Sequence, residues 1–367
     1  MEVEVLQDRL TKALNAVSRV AASTRSGLPI LSNVLLRAEK GQLVLTATNM
    51  ELATVQYVNA EVKNEGTITV PAKLLAEFVA ALPKDNVSLK AAGDKLTVSA
   101  GKYRSTINGI LADDYPELPK VNEDEAVGFK INVDIFKEAL NEVIIAASND
   151  TTRPALTGVY FNTFEGALYI AATDGYRLAD KRFVDDVKSE IKAIVPASTL
   201  QEVLRCLSEG MDEVEVRISE ELICFRMGEI EVTSKLIDAS FPEYRALIPK
   251  NISLNLELDK AELQRMTKVA ALFARSSGGS ITCEALADAG TFSVSAVASE
   301  LGENSSSLEV EVASDAKVTL NSRYLLDALN AAKDTHVMLG ISGKLDPVVL
   351  TNAQTDDYTH IIMPLKS

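Results

Sequence analysis

Histidine and cysteine are scarce in this chain, which leaves few side chains for catalysis or metal binding. The 367 residues include only two histidines and three cysteines. His336 and His360 lie near one end of the chain, where a lone histidine is more often structural than catalytic. Cys206, Cys224 and Cys283 are widely spaced, and none lies in a CxxC pair. These residues do not provide a closed zinc site at the usual ligand spacing, and we expect reduced, buried thiols in a cytoplasmic protein.

Common catalytic motifs and long apolar segments are also missing. No GxxxxGK loop, GxGxxG turn, HExxH helix or GxSxG elbow occurs, so the usual signatures of nucleotide binding and hydrolysis are absent. No apolar run reaches the roughly 18–20 residues of a membrane-spanning helix. The N-terminal residues MEVEVLQDRL lack the basic and apolar regions of a signal peptide. We therefore predict no cofactor, no metal, no catalytic residue and no membrane partner.

Basic residues are outnumbered by acidic ones. The chain has 37 Lys and Arg residues against 52 Asp and Glu residues, a net charge of −15. Charge alone would not attach such a protein to nucleic acid or to an anionic membrane. A protein that holds nucleic acid by its shape, with its few positive groups on one surface, stays compatible with this charge.

The chain does contain a segment that occurs three times, at intervals of 125 residues. In each copy a short β-rich run enters a helix, at Val70-Pro71, Val195-Pro196 and Leu320-Asn321. A second segment, residues 28–49, aligns with residues 153–174 at the same offset. Repeats of solenoid proteins are only about 20–50 residues long. The sequence therefore predicts three similar domains in a row.

Each domain has the predicted order helix, strands, helix, strands, which indicates an α+β fold built from two β-α-β-β-β halves. In the first domain we predict helices over 7–21 and 72–82 and strands over 32–38, 42–48, 52–62, 67–70, 87–91, 95–100 and 103–110. The later helices are predicted over 134–147, 198–208, 259–274 and 322–333. Polar segments near 119–128 and 248–252 indicate linkers. The predicted domains are residues 1–124, 125–250 and 251–367.

The segment TDGYRL, residues 173–178, is the best candidate for chemistry. Asp174, Gly175 and Arg177 in one tight turn could form a cradle for a phosphate or a carboxylate. The alternative is a strand-end turn in which Asp174 caps the backbone and Gly175 adopts a positive φ. An enzyme that uses Asp174 and Arg177 on a small anionic substrate therefore stays open as an alternative.

Three segments together resemble the bacterial β sliding clamp, the processivity subunit of DNA polymerase III. They are ATDGYRLA at 172–179, TSKLIDASFPEYRALIPKN at 233–251 and HIIMPLKS at 360–367, and the likeness covers essentially the whole chain. The resemblance implies a non-catalytic protein whose three domains have the DNA clamp fold. Two chains would form a head-to-tail homodimer, a six-domain ring that encircles double-stranded DNA without reading its sequence. Helices would line the hole, and sheets would form the outside.

The resemblance also implies a pocket for a short linear peptide. Its partners would be the polymerase III catalytic subunit, the clamp loader, and other polymerases and repair factors. The matching positions are Leu156, Thr173, Gly175, Tyr176, Arg177, Leu178, Pro242, Leu247, Pro347, Ile362, Met363, Pro364 and Leu365. Tyr176, Ala246 and Lys366 depart from the family, in which His, a basic residue and Arg are frequent there. We expect binding of the general motif with an altered preference at the polar end.

Candidate DNA-facing and dimer-interface residues follow from the same resemblance and from the helix pattern. Arg25 matches a DNA-facing arginine of the family, while the helix pattern adds Arg9, Lys12, Lys73, Arg205 and Lys268. Ordinary solvated helix faces are the alternative for these basic residues. At Pro154-Ala155 the chain departs from clamps that carry aromatic residues. The dimer contact is predicted at Tyr103 and Ile107 of one domain against Leu272 and Phe273 of another. A peptide-binding adaptor that does not encircle DNA remains the main alternative function.

Overall fold

The computed structural model describes residues 1–22, 28–208, 210–300 and 302–366. The predicted DNA-facing residue Arg25 lies outside these residues. Within them, no helix combines the length and the apolar character that a membrane crossing requires. The described chain forms six α-helices and 25 β-strands.

The first repeat folds as two β-α-β-β-β halves with one additional short strand between them. The first half is β1 Glu2–Leu6, α1 Gln7–Ala22, β2 Asn33–Glu39, β3 Gln42–Thr48 and β4 Leu52–Asn59, and the additional strand is β5 Glu61–Asn64. The second half is β6 Gly66–Pro71, α2 Ala72–Ala80, β7 Asn86–Ala92, β8 Lys95–Ala100 and β9 Tyr103–Asn108. The single strand predicted over 52–62 is divided at Ala60, because β4 pairs with β3 and the following strand β5 pairs with β1.

The second repeat has the same order without the additional strand. It comprises β10 Val127–Asn132, α3 Val133–Val143, β11 Gly158–Phe164, β12 Ala167–Thr173, β13 Arg177–Val184, β14 Lys192–Pro196, α4 Ala197–Cys206, β15 Glu213–Ile218, β16 Leu222–Met227 and β17 Ile230–Lys235. The helix predicted over 134–147 ends at Val143 and continues as a 3-10 turn, Ile144–Ala146.

The third repeat has this order again. It comprises β18 Leu254–Asp259, α5 Lys260–Ala274, β19 Ser280–Leu286, β20 Thr291–Ala298, β21 Gly302–Glu309, β22 Ala316–Asn321, α6 Ser322–Ala331, β23 His336–Ile341, β24 Val348–Asn352 and β25 Tyr358–Ile362. Asn321 caps α6, since its side chain accepts a hydrogen bond from the Arg323 N–H. Helices α2, α4 and α6 begin 125 residues apart. The predicted α+β class and triplicated domain are confirmed.

All strand pairs among the described residues are antiparallel, and the chain divides into two compact units. Unit 1 comprises Met1–Val133 and Ser198–Leu236, and unit 2 comprises Asp134–Ala197 and Ile237–Ser367. Unit 1 contains the sheets β5-β1-β7-β8-β9 and β10-β15-β16-β17-β4-β3-β2-β6. Unit 2 contains β14-β11-β12-β13-β25-β24-β23-β18 and β21-β20-β19-β22. The second repeat is therefore divided between the units, and the domain boundaries near 124 and 250 stay predictions.

Buried aliphatic side chains hold the helices on their sheets. In unit 1, Leu10 and Leu14 of α1 lie in one apolar core with Leu36 and Leu45 of the neighbouring strands, and α1 packs against α2. In unit 2, α5 packs against α6 and against β20. Removing such apolar surface from water is the main force that stabilises each layer.

A buried group of charges in unit 2 connects α3 to β13 and to Asp357, just before β25. We call it the Lys181 cluster. The Lys181 ammonium lies 2.6 Å from Glu142, 3.0 Å from Glu138 and 2.9 Å from Asp357. Lys181 and Glu142 are only 2% and 1% exposed. Burial raises the pKa of Glu142 to about 7, although Lys181 opposes this shift. Lys333 completes the cluster through Glu138 and Asp357, at 2.9 and 3.3 Å.

The three cysteines and His360 are buried in the core. All three cysteines are buried and unpaired, as predicted. Burial raises the thiol pKa to about 11 in Cys206 and Cys224 and to about 12 in Cys283, so these groups stay protonated. His360 is fully buried beside the Tyr358 hydroxyl, 2.9 Å from its Nδ1, and burial lowers its pKa to about 3. It is therefore a neutral core residue.

Candidate functional site

The turn between β12 and β13 is held by its own polar side chains. The Thr173 hydroxyl donates to the Arg177 carbonyl, at 2.6 Å, and accepts from the Gly175 N–H, at 3.0 Å. One Asp174 oxygen accepts from the N–H groups of Tyr176 and Arg177, at 2.9 and 3.0 Å. Gly175 has a φ of +92°, which a residue with a Cβ rarely adopts. The strand-end turn, and not an open cradle, is what the segment forms.

The Arg177 guanidinium contacts three side chains of unit 2. Its guanidinium contacts Asp327 at 2.6 Å and Asp174 at 3.1 Å, and it lies over the Tyr324 ring at 4.6 Å. Its side chain is only 8% exposed. A guanidinium that is already paired with two carboxylates offers no charge for an anionic substrate. This geometry removes the enzyme alternative based on Asp174 and Arg177.

The chain end after β25 lies beside this turn. Strand β25 pairs with β13 so that Leu178 faces Ile361 and Arg177 faces Ile362. The pairing continues one residue further, since the Met363 N–H donates to the Tyr176 carbonyl at 2.8 Å. Tyr176 is 61% exposed and Met363 is 40% exposed. Two apolar side chains therefore lie at the surface above a buried sheet.

The segment before β18 covers the same sheet. Tyr244 is buried in an apolar cluster with Ala171, Leu178 and Ile361. Its hydroxyl donates to Asp180, at 2.8 Å, and accepts from the Asn162 side chain, at 3.1 Å. Burial raises the pKa of Asp180 to about 6. Leu247, at the end of the 3-10 turn Tyr244–Leu247, is 59% exposed.

The other predicted pocket residues lie in unit 2 as well. Leu156 is buried in the 3-10 turn Pro154–Thr157, and Arg153 just before that turn donates to the Asp174 carbonyl at 3.2 Å. Pro347 precedes β24, whose Val348 pairs with Ile362. Pro242 is exposed, and Pro364 and Leu365 are half-buried. Unit 2 therefore contains all thirteen predicted positions, and their role as a pocket stays a prediction.

Sequence reasoning missed the residues that hold Arg177 and the linker in place. Asp327 and Tyr324 lie on α6, about 150 residues from the turn that they support. The Arg245 guanidinium lies 4.1 Å from the ring centroids of Phe164 and Tyr169. Among these residues, only Arg245 could have been found from the sequence, because it belongs to the segment 233–251 that carries the family resemblance.

The predicted DNA-facing side chains that the structure describes are all exposed. Arg9 and Lys12 lie on α1, Lys73 on α2, Arg205 on α4 and Lys268 on α5. Arg205 pairs with the Glu202 carboxylate, at 3.2 Å. Glu202 also pairs with Arg19, at 2.6 Å. Exposure alone also fits solvated helix faces, so the DNA-facing role stays a prediction.

The predicted interface residues lie at an open sheet edge and at a helix end. Strand β9 is the outer strand of its five-stranded sheet, and Tyr103 on it is 47% exposed, whereas Ile107 packs into the core of unit 1. The Ile107 side chain is therefore not available to a partner, although its backbone is at the edge. Leu272 near the end of α5 is 53% exposed, and Phe273 is half-buried.

Three family models match successive parts of the chain. The model of the DNA polymerase III beta subunit N-terminal domain matches residues 1–119. The central-domain model matches residues 130–243, and the C-terminal-domain model matches residues 245–366. Together they account for nearly the whole sequence.

Individual relatives align with this chain along nearly their full length. A beta sliding clamp of Synechococcus elongatus is 30% identical over 375 residues, covering 100% of this chain and 99% of that protein. A beta sliding clamp of Staphylococcus aureus is 27% identical over 380 residues, covering 100% of both. A crystal structure of the DNA polymerase III subunit beta from Pseudomonas aeruginosa, bound to griselimycin, superposes with a TM-score of 0.94 at 28% identity and covers 100% of both chains.

Proposed function

The chain belongs to the DNA polymerase III beta subunit family, and from this premise we propose that it is a sliding clamp that encircles duplex DNA and confers processivity on the replicative polymerase. The observation that carries the proposal is the succession of three beta-subunit domains along one chain. The protein is non-catalytic, in keeping with that family. It acts by holding other proteins on DNA.

Ring closure requires two different surfaces on each copy of the chain. A head-to-tail contact is heterologous, and such contacts form a closed ring when the rotation between copies is right. Strand β9 and strand β21 are outer strands of their sheets, and α5 packs against β21. We place the contact between β9 of one protomer and the β21 edge of its partner, with Leu272 and Phe273 beside it. Pairing would cover two edges that otherwise invite aggregation.

A ring explains how an acidic protein stays on DNA. Retention on an encircled duplex is topological, so it needs little binding free energy and no large basic surface. A net charge of −15 is compatible with such retention, provided that the side chains facing the DNA do not repel its phosphates. Arg9, Lys12, Lys73, Arg205 and Lys268 are our candidates for that face.

The function is tested by loading the protein on nicked circular DNA with a bacterial clamp loader and ATP. We expect it to stay on the circle in high salt and to leave once the circle is cut, because a linear duplex has open ends. An adaptor bound by charge would dissociate from circular and linear DNA alike, with a steep dependence on salt. That second result would contradict the proposal.

We place the binding of partner peptides on unit 2, around Tyr176, Leu247 and Met363. Exposed apolar side chains beside a few fixed polar groups are typical of a peptide-binding surface. The proposed ligands are linear motifs of the polymerase catalytic subunit, the clamp loader and other polymerases and repair factors. Tyr176, Ala246 and Lys366 would change the preference at the polar end of the motif.

The unpaired cysteines support a cytoplasmic location.

Replacing Met363 by alanine is expected to weaken binding of a clamp-binding peptide about thirtyfold, the size expected for the loss of one interface hot spot of about 2 kcal/mol. Competition titration of a labelled peptide measures this change. Met50→Ala is the matched control, because Met50 is 44% exposed in unit 1 and lies outside the proposed site. If Met363→Ala bound the peptide as tightly as the unchanged protein, Met363 would not belong to the peptide site.

A further inference from the structure

The turn between β12 and β13 in unit 2 has a structural copy between β3 and β4 in unit 1. In the copy, the Thr48 hydroxyl donates to the Leu52 carbonyl and accepts from the Met50 N–H, both at 3.0 Å. One Asn49 oxygen accepts from the N–H groups of Glu51 and Leu52, at 3.0 and 2.8 Å. The turn in unit 2 makes the same four hydrogen bonds, 125 residues further along the chain.

The copy shows what such a turn needs in order to form. Met50 has a φ of 76°, and Gly175 at the matching position has a φ of 92°, so both lie in the left-handed region of the backbone. Leu52 occupies the position of Arg177. The copy therefore forms without a guanidinium, and the ion pairs of Arg177 are not required for the turn itself.

In unit 2 the guanidinium connects the turn to a helix of the next repeat. Arg177 donates to the Asp327 carboxylate at 2.6 Å and lies over the Tyr324 ring at 4.6 Å. Both of these partners are on α6. The remaining partner, Asp174 at 3.1 Å, belongs to the turn. Without Asp327 the guanidinium would keep one carboxylate, and that carboxylate does not connect the turn to α6.

The corresponding carboxylate in unit 1 makes a different connection. Glu202 on α4 occupies the position of Asp327, at the offset of 125 residues, and it is only 4% exposed. It pairs with Arg19 of α1 at 2.6 Å. A carboxylate at this position thus joins two helices in unit 1, whereas in unit 2 it joins a helix to the turn of the proposed peptide surface.

The position of the turn matters because the turn carries part of that surface. Tyr176 precedes Arg177 directly, and its side chain is exposed. The Tyr176 carbonyl accepts from the Met363 N–H at 2.8 Å. A movement of the turn relative to α6 would therefore displace Tyr176 together with the backbone of Met363, the two residues around which we place the peptide.

We propose that Asp327 is a positioning residue of the peptide site. Its carboxylate holds the Arg177 guanidinium against α6, and Arg177 thereby fixes the turn that presents Tyr176 to the peptide. Binding surfaces are precise only when neighbouring residues lock the side chains that make the contacts. This role rests on the proposed peptide surface of unit 2 and adds to it a residue that supports the surface from behind.

A double-mutant cycle tests this role with the labelled clamp-binding peptide of the Met363→Ala titration. We expect Asp327→Ala to weaken binding about tenfold, within the range of coupling inside one salt-bridge network. Arg177→Leu introduces the side chain found at position 52 and should weaken binding at least as much. In the double variant the loss should equal that of Arg177→Leu alone, because Asp327 then has no guanidinium to hold.

Arg323→Ala is the matched control on the same helix. Arg323 is 78% exposed, and its guanidinium lies 4.0 Å from the Asp327 carboxylate. The variant removes this neighbouring charge and keeps the contact between Asp327 and Arg177, so the affinity should stay unchanged. Urea unfolding and light scattering of each variant show that the chain is folded and has kept its mass.

The possible results separate this role from the peptide site itself. Unchanged affinity in Asp327→Ala, an equal loss in Arg323→Ala, or losses that multiply in the double variant would each overturn the positioning role, even where Met363→Ala still weakens binding. Losses that multiply would mean that Asp327 acts on the fold and not through Arg177. If the peptide did not bind the unchanged protein, the proposed surface and the role of Asp327 would both be wrong.

Discussion

Replacing Lys181 by methionine is expected to lower the free energy of unfolding by about 3–5 kcal/mol, the range for removing one partner of a buried ion pair. The substitution keeps most of the side-chain volume and removes only the charge. It leaves Glu142, which is 1% exposed, without the ammonium that lies 2.6 Å away. Urea unfolding at constant pH measures the loss.

Arg182→Ala is the matched control on the same strand. Arg182 is 38% exposed and pairs with Asp185 and Asp356, which are 74% and 92% exposed. Such solvent-exposed pairs contribute about 0–1 kcal/mol. Equal destabilisation by Lys181→Met and Arg182→Ala would contradict the account of the Lys181 cluster.

The effect of Lys181→Met should depend on pH through Glu142. Burial raises the pKa of this acid from 4.5 to about 7 with Lys181 present, and removal of the cation raises it further. The folded state then binds a proton that the unfolded state releases, so stability falls as pH rises above 4.5 through the folded pKa. We therefore expect a smaller loss at about pH 5 than at about pH 8. A loss that is independent of pH would show that Glu142 is not the stranded charge.

Replacing Leu272 and Phe273 together by alanine is expected to convert the dimer into monomers. Leu272 is 53% exposed on one chain, and we place both side chains in the head-to-tail contact. Two truncated hot spots of about 2 kcal/mol each raise a dissociation constant on the order of a thousandfold. Multi-angle light scattering measures the mass directly.

Leu74→Ala provides the control for this change. Leu74 on α2 is 51% exposed, so the control removes an equally accessible leucine away from the proposed contact. The control should keep the mass of a dimer. A dimer mass for the Leu272→Ala, Phe273→Ala variant would mean that the interface lies elsewhere.

Local sequence signals predicted much of the fold. The junctions at Pro71, Pro196 and Asn321 predicted where α2, α4 and α6 begin, because each helix start depends on a few neighbouring residues. The pattern of Asp174 and Gly175 allowed the correct turn as one of two interpretations. The break at Ala60 was missed, since it depends on β5 pairing with β1 and not with β3, and such long-range pairing follows only from the fold.

Contacts between distant residues could not be predicted in this way. Lys181 finds Glu142 and Asp357 through helix and strand packing, and a charged residue inside a strand gives no sign of its partners. Asp327 reaches Arg177 for the same reason. The site residues named from the resemblance remain predictions, because their role depends on a peptide or a DNA duplex.

Electron microscopy of the purified protein in negative stain tests the central claim most directly. We predict closed rings with six lobes around a central hole, seen with and without chemical cross-linking. Such particles would require the head-to-tail dimer, the triplicated domain and a passage for DNA together. Compact particles without a hole, persisting after cross-linking, would contradict the account.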